Sequence, residues 1–210
     1  MGRSVLLKLG AIAGFTSLAL AGPLSAPLAA QGFSNGYEFL EAVKDREGDT
    51  VTEMLREPGT TVVNTRDITT GETGLHIVTQ ERDITWIRFL LQEGANPNVR
   101  DNRGVVPLQI AANLGFVEAV EALIKRGAQV DVADRTGETP LIAAVHRRDI
   151  AIIRVLLAQG ANASRPDNSG RTARDYAELQ NGNSLILAEF DAAEEAADAK
   201  GTNESYGPSF

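Results

Sequence analysis

Apolar residues recur through the middle of the chain at offsets 0, 3, 6 and 7: Ile84, Ile87, Leu90, Leu91; Val117, Val120, Leu123, Ile124; Ile150, Ile153, Leu156, Leu157. That spacing covers one face of a helix and is incompatible with the two-residue alternation of a strand. A shorter, more uniformly apolar stretch precedes each: Leu75-His76-Ile77-Val78, Leu108-Gln109-Ile110-Ala111-Ala112 and Leu141-Ile142-Ala143-Ala144-Val145. Alanines at its centre let two helices approach closely. The predicted unit is therefore a helix pair, small helix first, and it repeats. Phe39, Leu40, Ala42 and Val43, then Val51, Met54 and Leu55, predict a weaker first pair beginning at Gly36.

Polar punctuation keeps the same period. Gly71, Gly104, Gly137 and Gly170 stand 33 residues apart, and Gly94-Ala95, Gly127-Ala128 and Gly160-Ala161 form a second ladder with the same step. Self-similarity at such a period marks a stacked-repeat architecture. Asp101-Asn102-Arg103-Gly104, Asp134-Arg135-Thr136-Gly137 and Asp167-Asn168-Ser169-Gly170 read as tight turns with glycine where a positive φ is wanted. Pro107 and Pro140 suit the first turn of the small helix, Thr139 can cap it, and each Gly-Ala ends the second helix. The early linker from Pro58-Gly59 to Gly71 reads as three residues longer than its later counterparts.

The pattern Asp-x-x-Gly-x-Thr-Pro-Leu, then Ala-Ala, an apolar helix and Gly-Ala, resembles the ankyrin repeat. Asp134 to Ala161 matches nearly throughout; Asp101 to Ala128 matches with Val106 in the threonine slot, and Thr73-Gly74-Leu75-His76 keeps most of the turn. The resemblance implies an all-α solenoid of helix-turn-helix units joined by hairpin-like loops. About five repeats are expected across 36–191 (36–66, 67–100, 101–133, 134–166, 167–191), with the outer two acting as caps. It also implies a non-catalytic protein–protein interaction module, gripping a client by its concave face without a cofactor.

Composition changes the picture in three places. The formal charge of −8, becoming −10 if Arg3 and Lys8 leave with a leader, argues against nucleic acid or anionic lipid as a general partner. Zero cysteines exclude disulfides and thiolate metal sites. Residues 1–30 carry the basic start, apolar run and small-residue exit of a secretory signal peptide, with cleavage expected after Ala21 or Ala30. The run is shorter than the roughly 20 apolar residues of a spanning helix, so no stable membrane insertion is expected after cleavage. An exported protein, monomeric and in a bacterial periplasm, is the resulting expectation. At the other end, 192–210 reads as an acidic helix extension without an apolar stripe, mobile from Gly201.

No phosphate-binding loop, nucleophile elbow or His-Glu-x-x-His motif is present. Only two histidines exist. His76 fills the family's turn-histidine slot, where it binds loop backbone and Thr73. His146 lies at the exit of an inner helix, in register with Asn113 and Gln80, and with Arg103, Arg135, Arg147 and Arg148 it forms a candidate basic patch. The recurring Asp101, Asp134 and Asp167 read as turn residues and not as an acid/base pair, and Trp86 as convex-side packing. The candidate protein-binding residues are Asn102, Arg103, Gln109, Asn113, Leu114, Arg135, Thr136, Ile142, His146 and Arg147. Two alternatives stand beside a general adaptor: an immunity or maturation factor for one exported enzyme, and a hydrolase using His146. No catalytic or metal-ligating residue is assigned.

Overall fold

The computed structural model describes residues 28–180 and 184–204. Most of the leader (1–27) and the last residues of the tail (205–210) lie outside them. Among the described residues ten α-helices follow in pairs: α1 (Leu28–Lys44) and α2 (Gly48–Arg56), α3 (Gly74–Gln80) and α4 (Ile84–Gln92), α5 (Pro107–Leu114) and α6 (Val117–Lys125), α7 (Pro140–Arg147) and α8 (Ile150–Ala158), α9 (Ala173–Leu179) and α10 (Ser184–Glu204). There is no strand among the described residues, and the fold is all-α. α1, α3, α5, α7 and α9 pack as one inner row; α4, α6, α8 and α10 pack as an outer row behind it.

The core is the seam between the rows. Leu75, Val78, Leu108, Ala111, Ala112 and Leu141 to Val145 are fully buried on the inner side, and Ile87, Leu90, Val120, Leu123, Ile153 and Leu156 close it from the outer side. The helical offsets thus correspond to the buried stripe. Thr139 and Thr172 accept hydrogen bonds from the third-residue N–H of α7 and α9, and Asp83 and Asp149 cap α4 and α8. These caps satisfy donors that would otherwise be orphaned at each helix start.

One device escaped the sequence reading. The turn between the helices of a pair needs a left-handed residue, and arginine supplies it at Arg46 (φ 62°), Arg82 (φ 59°) and Arg148 (φ 58°), with Gly115 in the third pair. Non-glycine residues are uncommon there. Each arginine reaches forward to the next unit. Arg46 pairs with Glu81 and Asp83 and lies 5.4 Å from the centre of the Trp86 ring. Arg82 donates to the Leu114 carbonyl (2.6 Å) and covers the Phe116 ring at 4.9 Å; Arg148 donates to Gln180 (2.9 Å). Trp86 is half-buried between that guanidinium and Phe89, which meets it edge-on at 5.5 Å.

The glycine ladder contains two kinds of position. All four turn glycines have φ between 74° and 84°. At Gly137, however, a Cβ would also lie 2.6 Å from the backbone nitrogen of Asn168, because the following hairpin presses against it; at Gly170 it would meet nothing. Both alanine substitutions incur a left-handed penalty of about 1–2 kcal/mol. Gly137→Ala should therefore lower the melting temperature clearly more than Gly170→Ala, and equal shifts would contradict the close approach of the hairpins.

Two expectations concern the ends of the stack. The left-handed turn residues Arg46 and Arg82 lie 36 residues apart, against 33 from Arg82 to Gly115 and from Gly115 to Arg148, so the early unit carries the expected three-residue insertion. It falls after α2: Gly71 comes fifteen residues after Arg56, whereas Gly104 comes twelve after Gln92. Two of the extra residues accompany the 3-10 turn Val62–Asn64, which buries Val62 and Val63, and the third widens the hairpin tip Ile68-Thr69-Thr70. Secondly, α10 begins at Ser184 and continues through Gly201 to Glu204, so helix extends beyond the expected start of the tail. Ile186 and Phe190 on it are fully buried, and Glu189 pairs with Arg154 of α8, while Asp191 and Glu194 pair with Arg174 of α9. The stretch from 192 onward is continuous with the outer helix of the last unit.

Candidate functional site

The exposed side of the inner row is built on aspartate-closed hairpins. Asp101 Oδ1 accepts from the N–H groups of Arg103 and Val105 (both 2.8 Å), Asp134 Oδ1 from Thr136 (2.8 Å) and Glu138 (3.0 Å), and Asp167 Oδ1 from Ser169 (2.8 Å) and Arg171 (3.1 Å). These carboxylates are turn locks. Burial works to raise Asp101, yet the two N–H donors and the Arg103 guanidinium outweigh it and hold the carboxyl below its usual value. Asp167 is held well below the usual carboxylate range, chiefly by the Tyr176 hydroxyl and then by Ser169.

His76 behaves as the resemblance implied. It is fully buried, its Nδ1 accepts from Thr73 N–H (3.1 Å), and its Nε2 lies 3.2 Å from the Val105 carbonyl. The accepting Nδ1 places the hydrogen on Nε2, which donates to that carbonyl, and burial lowers the pKa of the ring. His76 therefore bridges the second unit to the third hairpin as a neutral imidazole.

A cleft of about 630 Å³ opens between the fourth and fifth hairpin units. Its lining comprises Arg135, Thr136 and Glu138 from one hairpin, Asp167, Asn168, Ser169 and Arg171 from the next, His146 at the exit of α7 and Tyr176 on α9. The His146 and Tyr176 rings meet edge-to-face at 4.5 Å, and His146 Nδ1 lies 3.2 Å from Glu138 Oε1. Tyr176 donates its hydroxyl to Asp167 (2.6 Å), Ser169 donates to Asp167 (2.7 Å), and Thr136 donates to Asp134 (2.7 Å). The Arg171 guanidinium lies 5.9 Å from the centre of the Tyr176 ring. Among the described residues, no group of three or more His, Asp or Glu side chains is placed to hold a metal ion.

Of the sequence-derived candidates, the structure brings Arg135, Thr136 and His146 into this cleft. Asn113 is exposed at the exit of α5, the position His146 holds on α7, and Leu114 beside it is half-buried. Asn102 ties its hairpin to the preceding one, donating from Nδ2 to the Thr69 carbonyl (2.8 Å). The rest of the expected basic patch is dispersed. Arg103 is drawn to Asp101 (3.0 Å) and Glu72 (3.7 Å), Arg147 lies over Gly115, and Arg148 is held by Gln180.

Gln109 and Ile142 are corrections, since both are fully buried and out of a partner's reach. They hold the third position of α5 and α7, as His76 does on α3, and this position points beneath the next hairpin. Gln109 Nε2 accordingly donates to the Glu138 carbonyl (2.7 Å), while its Oε1 finds no partner within the protein. The cause lies in Val106: the equivalent Thr73 hydroxyl sits 2.8 Å from the equivalent His76 nitrogen. Val106→Thr should supply that hydroxyl and the missing cap together. A gain of about 1 kcal/mol is expected in urea unfolding, and a loss of stability would refute this account.

A ladder between connectors was missed altogether. Asn64 Oδ1 accepts from Asn96 N–H (2.7 Å), Asn98 Oδ1 from Gln129 N–H (2.8 Å), and Asp131 Oδ1 from Asn162 N–H (2.8 Å). These residues share one position in successive units. Their side chains, two Asn and one Asp, were visible, but the backbone N–H they address belongs to the neighbouring unit.

Stacked helix pairs with fingers tied unit to unit define the molecule as a helical-repeat solenoid. Family profiles described as ankyrin repeats (3 copies) match residues 39–134, and others described as ankyrin repeats (many copies) match residues 123–177. The chain belongs to the ankyrin-repeat family, whose repeats are generally protein–protein interaction modules and typically non-catalytic. It is similar to the oxysterol-binding protein homolog 1 of Saccharomyces cerevisiae, with 33% identity over 76 residues. That segment is 35% of this chain and 6% of the yeast protein.

Proposed function

We propose that the protein is an exported adaptor, periplasmic in a bacterium, that grips one protein client on the face formed by its hairpins and inner-helix exits. The observation that carries this reading is the cleft bounded by Arg135, His146, Arg171 and Tyr176, a concave feature on an otherwise rigid stack. The Asp-closed turns and the ties between hairpins hold the backbone of this face before any partner arrives, which lowers the ordering cost of binding. Among the described residues no hydroxyl in the cleft is hydrogen-bonded to His146, because the Ser169 and Tyr176 protons are both directed to Asp167. This favours an adaptor over a hydrolase.

Export is tested by mass spectrometry of the protein recovered from the native host. A mature chain beginning at Gly22 or Gln31 is expected, and an intact Met1 form confined to the cytoplasm would overturn it. Client binding is tested by co-purification with Arg135→Glu. Loss of the client with an unchanged melting curve is expected; undiminished recovery would count against this face. An obligate single client would make the protein an immunity or maturation factor, and one dominant stoichiometric band would identify that case.

A further inference from the structure

We infer that the cleft between the fourth and fifth units takes an acidic peptide segment, with Arg135 and Arg171 receiving its carboxylates. This inference rests on the concave-face reading above and adds the chemistry of what enters. It follows from which groups in the cleft are already satisfied. Asp167 accepts from the Ser169 and Arg171 N–H groups, the Ser169 hydroxyl and the Tyr176 hydroxyl, so its oxygens are occupied within the hairpin. Glu138 is engaged by His146, and the Thr136 hydroxyl proton by Asp134.

The two guanidiniums are in a different condition. Among the described residues, Arg135 makes no side-chain hydrogen bond or ion pair. Arg171 makes neither; its neighbours are the Tyr176 ring face at 5.9 Å and the Asp175 carboxylate, which it influences only through its field. Most other arginines on this side are anchored: Arg66 to the Gly71 carbonyl, Arg100 to those of Gly104 and Ala133, Arg103 to Asp101. Arg135 and Arg171 thus line one cleft with charges unmatched by a carboxylate at ion-pair distance, beside hydroxyl oxygens whose protons point inward. Guanidinium recognises carboxylate through paired, charge-assisted hydrogen bonds. The remaining wall, the edge-to-face His146 and Tyr176 rings, suits the aliphatic stem of a glutamate or the peptide backbone between two acids.

The charge of the whole chain favours a short acidic segment over a nucleic acid. At −8, an extended polyanion would be repelled along most of the surface, whereas two or three carboxylates need only the local pair of cations. The cleft of about 630 Å³ falls within the roughly 300–1,000 Å³ of ordinary ligand sites, enough for a few side chains.

The test is amide chemical-shift mapping on the mature chain with a capped octapeptide alternating glutamate and glycine, and with its glutamine counterpart. Titration should extend to about 5 mM, the range in which two charge-assisted contacts register. The glutamate peptide is expected to move the amides of Thr136, Asn168, Ser169 and Tyr176, with saturation weakened by added salt. Arg135→Gln should weaken binding several-fold, and Arg135→Gln with Arg171→Gln at least tenfold, each variant keeping the wild-type melting curve. Equal shifts from the glutamine peptide, shifts confined to other surfaces, or indifference to Arg135→Gln would each overturn the inference. A client that still binds through Asn113 and His146 while the acidic probe ignores the cleft would leave the adaptor reading standing and remove only this one.

Discussion

Leu123→Ala will lower the unfolding free energy by about 2–5 kcal/mol, the range for a leucine removed from a packed core. Leu123 is fully buried on α6, and α6 packs on α5, α4 and α8. The cavity therefore weakens the helix pair of the third unit and its contacts with both neighbouring outer helices. In a repeat stack stability is close to a sum of unit and nearest-neighbour terms, and a central defect touches two interfaces. The expected readout is a lower urea midpoint with an unchanged slope. A loss below about 1 kcal/mol would mean that the 0, 3, 6, 7 stripe does not face the seam.

Phe190→Ala should cost as much or more, about 3–5 kcal/mol, but in a different place. Phe190 is fully buried on α10, close to the Arg174 guanidinium at 5.7 Å, and with Ile186 it joins the last outer helix to α8 and α9. The pairs from Arg154 and Arg174 to Glu189, Asp191 and Glu194 are solvent-exposed on at least one side, and such pairs add little to stability. The aromatic anchor should therefore dominate. Hydrogen exchange should show α10 and α9 losing protection while α3 to α6 keep theirs. Uniform loss along the stack would show the last unit to be inseparable from the centre.

Helix positions were legible because the 33-residue period and the helical offsets point to the same unit. What stayed hidden depends on the neighbour. Gln109 is polar and looks superficial, yet like His76 it lies under the following hairpin and bonds a carbonyl 29 residues ahead. Arg82 and Arg148 occupy left-handed turns that glycine fills, among the described residues, only at Gly115, and nothing local in their sequence announces it. The third unit read as regular, but it lacks side-chain caps at both helix starts, with Val106 and Phe116 where the fourth unit has Thr139 and Asp149. For α10, the stripe was absent from 192 onward because its anchors, Ile186 and Phe190, lie upstream. The candidate site was legible in Arg135, Thr136 and His146; Arg171 and Tyr176 were passed over as residues of a capping unit.

The most direct test of client binding on the hairpin face is site-specific photocrosslinking in the native host. A photoreactive residue placed singly at Asn113, Arg135 or His146 samples the inner-row face, and one at Arg88, Lys125 or Gln159 samples the grooves between outer helices. The account predicts one client adduct from the first set and none from the second; adducts confined to the outer-helix positions would contradict it.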